Sequence, residues 1–213
     1  RALLTRLYLY VGDFQNAEKY ALDVINSEEY QLEDSFSFAF SVDNIHGNES
    51  IFEIGATENQ NYDLGGHQWG NTQGVRGTPQ RGWGFNRPTY SKILSFGDDP
   101  RMDASIVFLG EVIDGITIIG DDSTPDTIYD EQDNILEIEC YNQKVWEPYG
   151  NKPPSYNVNR RIIRYADVLL MAAEALNENG KSAEALLYLN EVRKRARGDN
   201  NAILPDITTT NQS

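Results

Sequence analysis

The chain has 213 residues with 33 acidic and 18 basic side chains, and its formal charge of −15 argues against binding nucleic-acid phosphates or an anionic membrane through a basic patch. With 39% hydrophobic residues it can bury one sizeable core or two small ones. No apolar run approaches the length of a membrane span, and the lone Cys140 excludes an internal disulfide.

Residues 1–27 read as a helical hairpin that turns at Gly12. Residues 28–50 are polar with scattered aromatics and predict irregular structure with one short helical turn. Residues 51–56 read as a short strand. The segment 55–89 is rich in Gly, Asn, Gln and Arg, and no helix or strand period survives in it. Loops of that length inside a compact domain are often functional. Pro88 closes it, and 89–96 reads as a short helix with Thr89 as N-cap. In the turn 97–101, Pro100 fixes the chain, an Asp accepts backbone N–H bonds and Arg101 pairs locally.

Strand patterns follow at 104–109, 116–119 and 135–141, with an acidic loop from Asp121 to Asp133. In the last of these Leu136, Ile138 and Cys140 alternate with Glu137, Glu139 and Tyr141, which puts the thiol on the apolar face as a packed group. A Pro/Gly loop, 147–157, delivers the chain to a second hairpin over 160–198. Its first helix is apolar from Tyr165 to Leu176 except at Asp167 and Glu174, so it is predicted to be buried on more than one side. Gly180 would end it and Ser182 would cap the next helix. In that helix Ala185, Leu189, Val192 and Ala196 form the apolar stripe, leaving Glu191, Arg193, Lys194, Arg195 and Arg197 for solvent.

Superimposing Gly12 on Gly180 aligns Ala17 with Ala185, Tyr20 with Tyr188 and Val24 with Val192. Upstream, Leu4 meets Ala172 and Tyr8 meets Leu176. The shared register resembles the tetratricopeptide helix pair, in which a small residue of the second helix packs into the first. The predicted fold is therefore mainly α, with tetratricopeptide-like hairpins around a long, loop-rich, weakly β insert at 28–159, all in one domain over 1–213. Two hairpins are too few to bury both of their faces by stacking on each other. Further helices are expected beyond one or both ends.

Several stretches together resemble the SusD/RagB family. They are IRYADVLLMAAEALNENG at 163–180 with LNEVRKRA at 189–196, IFEI at 51–54, PTYSKILSFGDDPRMDASI at 88–106, Lys144 with the following Pro-rich loop, and GDFQNAEKYALDVI at 12–25. The resemblance implies a surface glycan-binding lipoprotein of the Bacteroidetes outer membrane that serves polysaccharide utilisation and nutrient uptake. It implies a SusC-like TonB-dependent transporter as partner, covered by the glycan-binding protein as by a lid. It also implies a signal peptide, a lipidated cysteine and N-terminal helices outside this stretch, so that the membrane is met only through that anchor.

No nucleophile–base set, P-loop or dinucleotide fingerprint stands in a suitable context, so no catalytic residue and no enzyme activity are expected. Among 33 carboxylates some pair always has glycosidase spacing by chance. His46, His67 and Cys140 are too scattered for zinc. No cofactor is expected, with calcium at the Asp121–Asp133 carboxylates as a minor alternative that lacks EF-hand spacing.

A neutral oligosaccharide presents apolar C–H faces and hydroxyl rims, which suit aromatic rings flanked by amide and guanidinium donors. The loop from Asn59 to Arg87 has that composition. Trp69 and Trp83 are the expected platforms, with Tyr62 and Phe85 beside them and Asn61, Gln68, Asn71, Arg76 and Arg81 bonding hydroxyls. Trp146 is assigned to packing. The competing reading is a helical-repeat scaffold that binds protein alone, and it predicts that the loop aromatics are buried.

Overall fold

The computed structural model describes residues 1–56, 68–123, 125–148 and 158–210. Helices α1 (Ala2–Tyr10) and α2 (Phe14–Ile25) open the chain, followed by strand β1 (Ser50–Ile54), helix α3 (Gln68–Gln73) and helix α4 (Tyr90–Phe96). Short strands come next: β2 (Ile106–Phe108), β3 (Val112–Ile113), β4 (Ile116–Thr117), β5 (Thr127–Tyr129), β6 (Ile135–Ile138) and β7 (Cys140–Asn142). Strand β8 (Arg160–Arg164) leads directly into α5 (Tyr165–Glu178), and α6 (Ser182–Arg197) follows. Among the described residues no helix is long and apolar enough to cross a membrane. Two compact units emerge. One holds Arg1–Ala39, Asn44–Glu53 and the chain from Arg161 onward, and the other holds Phe40–Asp43 and Ile54–Arg160.

The first unit is built on the two hairpins, and both turn by the same hydrogen bonds. Gly12 has φ +74°, with its N–H bonded to Leu9 O at 3.1 Å and the Asp13 N–H to Tyr8 O at 2.9 Å. Gly180 has φ +77°, with its N–H on Asn177 O at 3.0 Å and the Lys181 N–H on Leu176 O at 2.8 Å. These are two Schellman turns, in which only a residue without Cβ takes the left-handed position freely. Asp13 caps α2 by accepting the Asn16 N–H at 3.1 Å. The expected Ser182 cap is corrected: Ser182 is the first helical residue, Lys181 precedes it, and the Ser182 hydroxyl bonds Asn177 Oδ1 at 2.8 Å.

Helix α5 packs against both α2 and α6. Ala166, Ala172, Ala173 and Ala175 are buried along it, as are Ala17 and Ala21 on α2 and Ala185 on α6. Small residues at these contacts let the helix backbones approach closely, and the flanking Val168, Leu169, Leu176 and Val192 fill the remaining space. On α1, Leu3, Leu4 and Leu7 remain exposed, as expected of a hairpin pair that cannot cover both its faces. Lys181 reaches Glu18 at 2.6 Å, and the Asn179 side-chain amide donates to Phe14 O and to Glu18, tying the second turn to the start of α2.

Strands β1 and β8 pair with each other in this unit. Beside them Glu49 is buried and accepts from the Arg164 guanidinium, from Arg195 at 2.6 Å and from the Glu33 N–H at 3.2 Å. Arg195 was expected in solvent, yet its side chain is only 6% exposed because it serves this carboxylate. Arg197 is likewise buried, bonded to Leu204 O at 3.0 Å and paired with Asp206 at 2.7 Å. Asn190 exchanges two 2.8 Å bonds with the backbone of Ile207, so the segment after α6 folds back onto it.

The second unit carries its own core. The antiparallel β2–β7 pair sets Ile106 opposite Asn142, Val107 opposite Tyr141 and Phe108 opposite Cys140. Val107 and Tyr141 join Val75 and Ile118 in one buried cluster, against which Trp146 packs as expected. The Trp146 indole N–H also donates to Asp114 at 2.7 Å. Cys140 is fully buried, and burial pushes its thiol up to about 11. Thr89 caps α4 as read from the sequence, accepting the Lys92 N–H at 3.3 Å. Asp99 likewise accepts the Arg101 N–H at 2.9 Å and pairs with its guanidinium.

Candidate ligand-binding site

Helix α3 and the segment after it, 74–86, build an aromatic platform in the second unit. The Arg81 N–H bonds Val75 O at 2.8 Å, the Trp83 N–H bonds Asn71 O at 2.7 Å and the Gly84 N–H bonds Gly74 O at 3.1 Å. The loop thus folds back on the end of α3 by main-chain bonds. Two glycines make that approach feasible. A Cβ on Gly74 would lie 2.1 Å from Arg81 O, and one on Gly82 would lie 2.5 Å from the Gly74 Cα. These glycines admit a neighbouring segment of the protein's own backbone.

The fold-back displays Trp83 and Phe85, which are 36% and 57% exposed. Their ring centroids are 6.3 Å apart and the planes are inclined by 55°. Arg76 lies beside them, since a Cβ on Gly84 would come within 2.8 Å of the Arg76 Cβ. The Arg76 side chain is half exposed, and its Nε pairs with Asp121 at 3.1 Å. Trp83 and Phe85 are therefore brought together, with the stem of the Arg76 side chain against the intervening Gly84.

Other predicted contacts do not join them. Asn71 is fully buried, and neither end of its amide finds a hydrogen-bond partner. Arg81 is 9% exposed, with its Nε bonded to Glu147 O at 2.8 Å and its guanidinium 5.6 Å from the Trp146 ring. Both are corrected to interior roles: Asn71 is wholly shielded from solvent, and the Arg81 guanidinium is spent on Glu147 O and the Trp146 ring. Trp69 is half-buried against Val42, Val145 and Val158, so most of its ring is spent on packing. Gln68 opens α3, but its side chain lies outside the described residues, as do Asn61 and Tyr62.

Sequence reasoning missed the amides around Gln73. Gln73 Oε1 accepts from Asn142 at 2.9 Å and from Asn86 at 3.3 Å. They come from α3, the loop and β7, and no local period connects them. Among the described residues no three His, Cys, Asp or Glu side chains come together as a metal would require. In the acidic segment the Asn134 side-chain amide, first of all, and the Asn134 and Gln132 N–H groups, both at 2.8 Å, donate to Asp130 and hold its carboxyl below the usual carboxylate range.

The family model described as the SusD family matches residues 48–212. The chain belongs to the SusD family. It is 31% identical to the SusD-like protein P2 of Formosa agariphila over 92% of this chain and 40% of that protein. It thus spans about 40% of the length of this SusD-like relative. A laminarin-binding SusD-like protein of known structure superposes with a TM-score of 0.68 at 26% identity, covering 97% of this chain and 47% of that one. The surface glycan-binding protein A of Bacteroides thetaiotaomicron, solved in complex with laminarihexaose, superposes with a TM-score of 0.69 at 22% identity, over 90% of this chain and 45% of that chain, which shows a shared fold. The mainly α, tetratricopeptide-like architecture read from the sequence is that of these SusD-like neighbours.

Proposed function

We propose that this part of the SusD-like protein binds an oligosaccharide at the cell surface without chemical conversion, on the platform of Trp83 and Phe85 beside Arg76. The observation that carries the reading is the exposure of two adjacent rings on a loop whose backbone is bonded to α3 and so needs little ordering on binding. An apolar ring meets the C–H face of a pyranose, and the Arg76 guanidinium donates to hydroxyls at its rim. The laminarin-binding relative supports a neutral glucan as ligand class. The protein-scaffold reading requires buried loop aromatics, and Trp83 and Phe85 are exposed.

The family membership supports further features of the whole protein: a lipid anchor in the outer membrane and a SusC-like TonB-dependent transporter over which it sits. Co-purification of the full-length protein with that transporter in mild detergent tests the partnership, and its consistent failure counts against it.

The site itself is tested with Trp83→Ala and Phe85→Ala. Each is expected to weaken binding of a laminarin oligosaccharide, measured by calorimetry, by about 1–3 kcal/mol while the thermal unfolding transition stays in place. Unchanged affinity in both variants removes the loop from the site. Release of reducing ends during incubation, abolished by one carboxylate substitution, would show an enzyme.

A further inference from the structure

We propose that the groove between α3, α4 and the β2–β7 pair is a second sugar site, and that it takes a sugar bearing an anionic group, a carboxylate or a sulfate ester. The groove has a volume of about 350 Å³, at the small end of ligand sites, and involves neither Trp83 nor Phe85. The inference stands or falls apart from the platform.

Charge is the first observation. Among the described residues lining the groove are Arg87, Lys92 and Lys144, and no Asp or Glu lines it. That is notable in a chain where 33 acids face 18 bases. Three cations around one concave surface focus a positive field there against the negative background of the molecule. Glu137 pairs with the Arg87 guanidinium but does not line the groove. Lys92 holds its Nζ 4.5 Å from the centroid of Phe96, which also lines the groove. The ammonium lies over the ring, a cation–π pair that fixes the charge against an apolar surface at the groove.

The second observation is polar. Ser105 is 8% exposed, lines the groove, and its hydroxyl has no hydrogen-bond partner. A buried hydroxyl left so is costly, and a ligand that bonds it recovers that cost. Nearby, Asn86 and Asn142 each give one N–H to Gln73 Oε1, which fixes their amides. Each amide retains a second hydrogen for a ligand hydroxyl, while Asn142 Oδ1 already accepts the Lys144 N–H at 3.0 Å. Amides and a ring would hold any sugar. Lys92 and Lys144, together with an Arg87 that is shared with Glu137, add a preference only if the sugar is charged.

The test uses this chain and three oligosaccharides of matched length: oligogalacturonate, a sulfated carrageenan oligomer and laminarihexaose. We expect at least one of the two acidic oligomers to bind about tenfold more tightly than the neutral one, with affinity falling as salt is raised. Whichever binds separates carboxylate from sulfate. In Lys92→Gln/Lys144→Gln that affinity should drop about tenfold, and in Ser105→Ala it should drop without a change in salt dependence. Lys92 is exposed, so Lys92→Gln alone makes the same test should the double variant unfold. Absence of binding by both acidic oligomers, equal affinity for the neutral one, or acidic binding unchanged by the lysine substitutions overturns the proposal. Laminarihexaose binding lost in Trp83→Ala and kept in the lysine variants would leave the platform reading intact whatever becomes of the groove.

Discussion

The main-chain N–H of Trp83 donates to the carbonyl of Asn71 at 2.7 Å, so the exposed ring of the platform is held by a residue that is itself fully buried. Asn71 thus supports the site from the interior through its backbone. The bond exists because Gly74 and Gly82 pass each other almost in contact.

That crossing is vulnerable to one methyl group. In Gly82→Ala the new Cβ would fall 2.5 Å from the Gly74 Cα, and neither backbone can yield without losing the loop's hydrogen bonds. The variant should unfold about 1–3 kcal/mol more easily in urea, and its glycan affinity should fall as far as in Trp83→Ala. Gly55→Ala is the control, because its Cβ meets nothing within 4 Å. Wild-type affinity in Gly82→Ala would show that the platform does not depend on the crossing.

The paired Schellman turns make a second prediction. A Cβ at Gly12 or at Gly180 meets nothing within 4 Å, and the two φ angles, +74° and +77°, are nearly equal. Backbone strain alone therefore decides both substitutions. Gly12→Ala and Gly180→Ala should each cost about 1–2 kcal/mol, and Asn at either position should cost less. Strongly unequal losses in denaturant titrations would argue against the equivalence of the two hairpins.

These turns were legible in the sequence because Gly followed by buried Ala at fixed spacing is a local pattern. Strand β8 was not. The sequence reading places Arg160–Arg164 at the start of the second hairpin, yet these residues form a strand in which Arg161 and Arg164 face the buried carboxylates of Glu53 and Glu49. Helix α3 contains Gly70 and is too short to show a period, and several strands have only two or three residues. For the site, composition selected the right loop but could not separate exposed from buried members. Arg76 and Arg81 look alike in sequence, and only the fold-back at Gly82 sends one outward and the other under Trp146. The groove residues come from α3, α4 and the strands, at separations that no local window spans.

Cys140 should behave as an inert thiol. Desolvation raises it from an ordinary 9.0 to about 11, with the nearby Arg87 opposing and Glu137 and Glu139 adding to the rise. At pH 8 a thiol reagent should modify it only after denaturant opens the fold. The linkage has a definite sign. The folded value lies above the unfolded one, so the unfolded chain loses its thiol proton first as pH rises. Stability from this group is complete below about 9 and is lost progressively up to about 11. Cys140→Ala should flatten that part of the stability profile. Rapid native labelling at pH 8 would contradict the burial.

The Glu49 carboxylate carries the last prediction. Its side chain is 3% exposed, with the Arg195 side chain 6% and the Arg164 side chain 16% exposed, so water screens the group weakly. Glu49→Gln preserves shape and leaves no cavity, but it removes the negative charge between two guanidiniums. Arg164 keeps a secondary partner in Asp167 at 3.7 Å. Arg195 keeps the Phe36 ring at 5.6 Å and the Glu33 carbonyl at 3.5 Å, neither of which replaces a carboxylate, and its Nε already has no hydrogen-bond partner. Removing one partner from a buried ion pair typically costs about 3–5 kcal/mol, because the remaining charge stays desolvated. Urea unfolding of Glu49→Gln should show a loss of that order, and pairing it with Arg195→Met should recover part of it, giving a coupling energy in the double-mutant cycle. Glu18→Gln is the comparison. It breaks the Lys181 contact, where the lysine side chain is 46% exposed, and should produce a much smaller change. If both glutamates proved equally tolerant of the change, Glu49 would not be the buried anchor that joins the β1–β8 pair to α6.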